Sequence, residues 1–137
     1  MSRDNPKSDA RPCPPDDSYI IRVRDRFTDI DETAWSRLSG TAHGREAEAY
    51  NPFVSRAFLS ALEESGSAVA DTGWLGQHLT LEDDRGEIVA ALPCYLKSHS
   101  QGEYVFDYGW ADAWERAGGR YYPKLQSSVP FTPGTGP

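Results

Sequence analysis

Cysteine is scarce. Cys13 and Cys94 are the only two in 137 residues, and they form no Cys-x-x-Cys pair. That leaves neither a zinc knuckle nor a disulfide framework to be read from spacing. His43, His78 and His99 are the three histidines, with no His-x-x-x-His pair to hold a metal. Long apolar runs are also missing: the longest, Ile88-Val89-Ala90-Ala91-Leu92, falls far short of the roughly 18–20 residues that span a bilayer. No membrane span is expected. The first residues carry no apolar stretch followed by a small-residue cleavage site, so a cytoplasmic location is expected.

A basic excess is absent as well. Fourteen Lys and Arg stand against twenty-one Asp and Glu, a formal charge of −7. The deficit is even: residues 1–70 hold nine basic and twelve acidic (−3), residues 71–137 five and nine (−4). Neither half is basic enough to follow a phosphate backbone, so duplex nucleic acid is not expected as the main partner, while a local basic pocket stays open. The familiar stand-alone signatures are missing too. There is no Gly-x-x-x-x-Gly-Lys, no Gly-x-Gly-x-x-Gly after a strand and no Gly-x-Ser-x-Gly.

What is present is the composition of one globular domain. Hydrophobic residues make up 38% of the chain and charged residues 26%, with four Trp, seven Tyr and five Phe. Residues 1–17 differ: they hold Pro6, Pro12, Pro14 and Pro15 among charges, with no large apolar residue after Met1. A segment so poor in apolar surface cannot offset its ordering entropy, so a disordered tail is expected over 1–17 and a domain over 18–137.

Within the domain, Tyr19 to Val23 reads as a short strand. Asp29 and Glu32 read as a capping box for a helix carrying Ile30, Trp35 and Leu38, stopped at Gly40. A second helix is capped by Ser55, carries Phe58, Leu59 and Leu62 on one stripe, and ends at Glu63-Glu64-Ser65-Gly66. From Trp74 the period becomes two, with His78, Thr80 and Glu82 on a polar face expected at the surface. Asp83 to Gly86 makes a turn. Glu87 to Leu96 then reads as one strand covered on both faces. A turn at Ser98 to Gly102, a third strand at Tyr104 to Asp107, a short helix at Asp112 to Ala117 and an extended stretch from Tyr121 to Phe131 complete the pattern. The fold class is α/β in the α+β sense, with helices against a largely antiparallel sheet.

Chemistry-bearing side chains are densest between Lys97 and Lys124. Trp, Tyr, Asp and Lys on loops between strands can form a ligand wall, because aromatic faces bury a ligand and charges orient it. The plain alternative is that Tyr104, Phe106, Trp110 and Trp114 are core and cover, with Asp112 a helix cap. The neighbouring pairs Glu63-Glu64 and Asp83-Asp84 point apart and read as solvated surface.

Several stretches resemble the FemAB-like proteins, a family named for peptidoglycan biosynthesis. They are Asn51-Pro52-Phe53-Val54-Ser55-Arg56-Ala57-Phe58-Leu59, Gly73-Trp74 with Gln77-His78-Leu79, Ala91-Leu92-Pro93-Cys94-Tyr95-Leu96-Lys97, and Trp110-Ala111-Asp112-Ala113-Trp114-Glu115 running into Tyr121-Tyr122-Pro123-Lys124. The resemblance spans residues 51–137. It implies a GNAT-like sheet, here incomplete, and transfer of an acyl or aminoacyl group to an amine on a small-molecule or peptide acceptor. The implied donor is an acyl-CoA or an aminoacyl-tRNA, with no metal. Family members are longer, so the glycine-rich pyrophosphate loop is expected beyond Pro137. On this resemblance Lys97, His99, Tyr104, Asp107, Trp110, Tyr121 and Lys124 become substrate-contact candidates, while no catalytic residue is assigned. The rival readings are a non-catalytic binding module and an inactive gene fragment. Half a sheet would also expose an edge through which copies could associate.

Overall fold

The computed structural model describes residues 18–40, 51–103 and 106–132. The expected tail over 1–17 lies outside the described residues, as do Cys13, His43 and Tyr104. Among the described residues, six strands and three α-helices follow in the order β1 (Ile20–Arg24), α1 (Glu32–Leu38), α2 (Arg56–Glu64), β2 (Trp74–Gly76), β3 (His78–Glu82), β4 (Ile88–Leu92), β5 (Tyr95–Lys97), α3 (Tyr108–Arg116) and β6 (Lys124–Gln126). The class is mixed α+β, with two antiparallel three-stranded sheets ordered β1-β3-β4 and β2-β5-β6.

The β2–β5 and β3–β4 pairs are two parts of one long hairpin interrupted in the middle. Gly76 faces Tyr95 and Leu79 faces Leu92, so the register is carried through the break unchanged. Gln77 N donates to Cys94 O at 2.9 Å within the gap. Pro93 lacks the N–H that would complete the ladder there. The single strand expected over Glu87 to Leu96 is therefore split into β4 and β5. It is not covered on both faces either, since Val89 and Leu92 are exposed.

The polarity of β3 runs opposite to expectation. His78, Thr80 and Glu82 are buried, and the leucines between them are half-exposed. Alternation shows only that two faces differ, and the covering elements decide which one is inside. Here the Phe27 ring of the 3-10 turn Phe27–Asp29 and Glu63 of α2 lie against His78, and the buried polar face is tolerated because most of its groups are paired. Glu82 receives Arg22 Nε and Arg24 Nη2, each at 2.7 Å. The opposite face, with Ile21, Val23, Leu92 and Leu125, is exposed.

Local signals place the helices. Asp31, not Asp29, caps α1, accepting from Ala34 N at 2.8 Å; Asp29 is taken up in the preceding 3-10 turn. Ser55 Oγ accepts from Phe58 N at 3.2 Å at the start of α2. Arg56 ties α2 to the earlier turn by donating to the carbonyls of Ile30 and Thr28. The core gathers Phe27, Ile30, Trp35, Val54, Leu59, Ala68, Trp74, Tyr95 and Val129. Each large apolar side chain there contributes about 1.5–3 kcal/mol by leaving water. Trp35 also donates from Nε1 to Val54 O at 2.7 Å, satisfying its polar edge.

The C-terminal part differs most from expectation. Phe106 and Asp107 are irregular rather than strand, and residues 104–105 lie outside the described residues. Asp107 instead stands at the N-terminal boundary of α3, which begins at Tyr108 and is longer than the helix expected from Asp112. The extended stretch expected from Tyr121 to Phe131 contains only the three-residue strand β6.

Candidate functional site

Three segments converge on the Asp107 carboxylate: the start of α3, the turn after β5, and the approach to β6. Tyr121 donates from its hydroxyl to Oδ2 at 3.0 Å, and Tyr122 donates to Oδ1 at 2.8 Å. Lys124 Nζ pairs with the same Oδ2. The Tyr122 hydroxyl also lies 2.7 Å from Ser100 Oγ in the turn. Burial works against a charge on Asp107, but the donors from Lys124, Ser100, Tyr122 and Tyr121 outweigh it. They hold the carboxyl well below the usual range. The same contact keeps the Lys124 ammonium above its ordinary value, although burial opposes it. Burial, with the nearby Asp107 charge, pushes the Tyr122 phenol up.

A second ion pair lies beside this node. Lys97 and Lys124 are direct cross-strand partners on β5 and β6. Two like charges so placed repel. Each has its own carboxylate: Lys124 takes Asp107, and Lys97 Nζ lies 2.8 Å from Glu103 Oε1. Lys97 is fully buried, with Nζ 3.2 Å from the centre of the Trp74 ring. Burial lowers its pKa, and Glu103 offsets only part of that.

The sequence-derived candidates therefore divide. Asp107, Tyr121 and Lys124 meet in one hydrogen-bonded node, with Lys97 in the adjoining pair. His99 closes the turn, accepting from Gln101 N at 3.2 Å, and its ring packs on Gly73. Trp110 does not join the node's hydrogen bonds; its side chain is 76% exposed on α3. Tyr104 lies outside the described residues. Ser100 and Tyr122 belong to the node although the sequence reading did not choose them. Their partner Asp107 is 7 and 15 positions away, a separation that no local pattern encodes.

A second polar constellation was not expected at all. His78 Nε2 lies 2.7 Å from Glu63 Oε1, with the imidazole fully buried. Cys94 N donates to His78 Nδ1 at 3.2 Å, so the proton of the neutral ring belongs on Nε2 and is donated to Glu63. The other oxygen of Glu63 accepts from Phe27 N at 2.9 Å. Glu63 is thus a held carboxylate rather than the solvated surface group its sequence neighbourhood implied, and His78 is core rather than surface. The Phe27 ring packs on the imidazole with centroids 4.0 Å apart, and Tyr95 meets it edge-on at 4.9 Å. Burial and the Glu63 charge push the Tyr95 phenol far up, and its hydroxyl has no partner among the described residues.

No group of three or more His, Cys, Asp or Glu that could hold a metal stands among the described residues. No described helix is long and apolar enough to cross a membrane. The family described as FemAB-like, peptidoglycan biosynthesis/recognition, matches residues 26–137. The chain belongs to the FemAB-like family. No curated protein and no solved structure matches it. The family match extends beyond the stretches that carried the resemblance, because it begins at Arg26 and so takes in the Phe27 turn and α1. Both polar constellations of this FemAB-like chain, the Asp107 node and the Glu63–His78 pair, fall inside the matched span.

Proposed function

We propose that this FemAB-like chain supplies the acceptor side of a GNAT-type transferase, which moves an acyl or aminoacyl group onto an amine in peptidoglycan chemistry. The observation that carries the reading is the Asp107 node: one ionised carboxylate held by a lysine and two phenols inside the matched span. Such a node keeps charges and hydroxyls at fixed positions without mobile side chains. Transfer by positioning needs that, since a neutral amine must meet an ester or thioester carbonyl in one geometry. The developing oxyanion is then met by backbone donors. In this reading Lys97, His99, Tyr104, Asp107, Trp110, Tyr121 and Lys124 contact or frame the acceptor. The donor is an acyl-CoA or an aminoacyl-tRNA. Both are cytoplasmic molecules, and the reading places the protein there.

The test offers the protein a panel of acyl-CoA thioesters and aminoacyl-tRNAs with a muropeptide that carries a free amine, and follows amide formation by mass spectrometry. Protein-dependent amide with one donor class supports the reading. Muropeptide binding without amide from any donor favours the second reading, a non-catalytic binding module. That alternative draws on one observation, the exposed apolar sheet face bearing Ile21, Val23, Leu92 and Leu125.

A further inference from the structure

Glu63 is held from one side by His78 and from another by the Phe27 N–H. Glu63, whose side chain keeps 11% of its surface exposed, also lines a cavity of about 620 Å³, whose walls include Asp25, Arg26, Glu64, Trp74 and Gly76. Gly76 is needed in that wall. A Cβ there would lie 2.3 Å from the Asp25 carbonyl oxygen and 3.2 Å from His78 Nε2, so any side chain would force the β1 end away. The cavity thus rests on a backbone contact that only glycine permits.

The chemistry of the wall selects a ligand. An ionised carboxylate only accepts hydrogen bonds and offers about four acceptor positions. Glu63 spends one per oxygen on its protein donors, so further donors can be received. The wall carries Asp25, Glu63 and Glu64 against Arg26 alone, which favours a cation. These carboxylates do not gather as a metal site, whereas an ammonium needs only one carboxylate and brings its own three donors. The imidazole, fully buried with both nitrogens engaged, is not free to bind a ligand, so its part is to hold Glu63 in place.

We propose that this cavity receives a primary ammonium group, with Glu63 as the carboxylate that binds it and His78 as the residue that positions Glu63. The proposal is separate from the transferase reading, none of whose acceptor-contact residues lines this cavity. Binding itself stands apart from turnover.

The experiment is an NMR titration of the full chain with two probes, N-acetyl-lysine methylamide and its Nε-acetylated, uncharged counterpart. The expected result is saturable shifts of the Phe27 amide and the His78 ring protons with the amine, and none with the acetylated probe. Glu63→Gln should weaken binding at least about tenfold, the usual scale for a hydrogen bond to a charged group. His78→Phe, which keeps ring volume but donates nothing, should weaken it similarly, and His78→Gln, which restores an N–H, should recover part. Equal shifts with both probes, or amine-induced shifts that miss Phe27 and His78, overturn the proposal whether or not the protein transfers acyl groups. Should the variants fail to fold, the location of the wild-type shifts decides alone. Specific amine binding with no amide formed from any donor upholds this site and removes the transferase reading.

Discussion

Trp74 and Lys97 are direct partners across β2 and β5, and the lysine ammonium lies 3.2 Å from the centre of the indole ring. The ring face and Glu103, 2.8 Å away, together stand in for the water that a fully buried ammonium has lost. Removing one member of a buried pair is costlier than removing both, because the survivor is left uncompensated. Lys97→Met should therefore destabilise the fold by about 3 kcal/mol in urea unfolding. Adding Glu103→Gln should recover part of that, giving a coupling above about 1 kcal/mol in the double-mutant cycle. Losses that merely add would show that the pair contributes nothing as a pair.

The pH dependence of Lys97 has a definite sign. Its folded value lies below the ordinary 10.5, so the unfolded chain binds more protons in the window just under 10.5. Its contribution to stability rises with pH there, and Lys97→Met should remove that slope.

Asp107 works in the opposite range. Its folded value lies below the ordinary 3.8, so the stability it contributes is complete above 3.8 and is lost as pH falls toward the folded value. Asp107→Asn removes that contribution. At pH 7 the variant should be less stable by about 2 kcal/mol, the scale of hydrogen bonds to a charged acceptor. Below pH 4 its denaturation midpoint should fall less steeply with acid than that of the wild type. Parallel midpoint curves for the two proteins would mean that the node does not hold the carboxylate ionised.

Much of this architecture is legible in the sequence where the signal is local. Ser55 reads as a cap and is one, bonded to Phe58 N three residues on. The turn at Asp83 to Gly86 is equally local: Asp83 Oδ1 accepts from Arg85 N and Glu87 N, and Gly86 takes φ 79°. The face of β3 is not local. His78, Thr80 and Glu82 alternate as a surface strand does, yet His78 lies under the Phe27 ring and Glu63 of α2, and Glu82 takes Arg22 and Arg24 from β1. Glu63 and His78 are 15 positions apart on different elements, so a pair of acidic residues at a helix end gives no hint of an imidazole partner. In the Asp107 node the residue types drew attention to the right segment. Which of them meet depends on α3 starting at Tyr108 and on β6 pairing with β5, and neither is written in a motif.

Trp110 and Lys124 separate acceptor contact from packing. Trp110 stands largely in solvent on α3, so Trp110→Ala should change stability by no more than about 0.5 kcal/mol. A fall in muropeptide binding or amide formation in that variant would therefore report on contact with the acceptor. Lys124→Ala does not read so simply. It leaves Asp107 ionised among hydroxyls with no cation beside it and should cost about 1–2 kcal/mol as well as activity. Lys124→Arg supplies the missing control, because it keeps a charge near Asp107 while changing the shape offered to a ligand. Stability restored by arginine without restored acceptor binding would assign Lys124 to the acceptor wall. Recovery of both together would assign it to the node alone, and unchanged acceptor binding in Trp110→Ala would remove Trp110 from the wall.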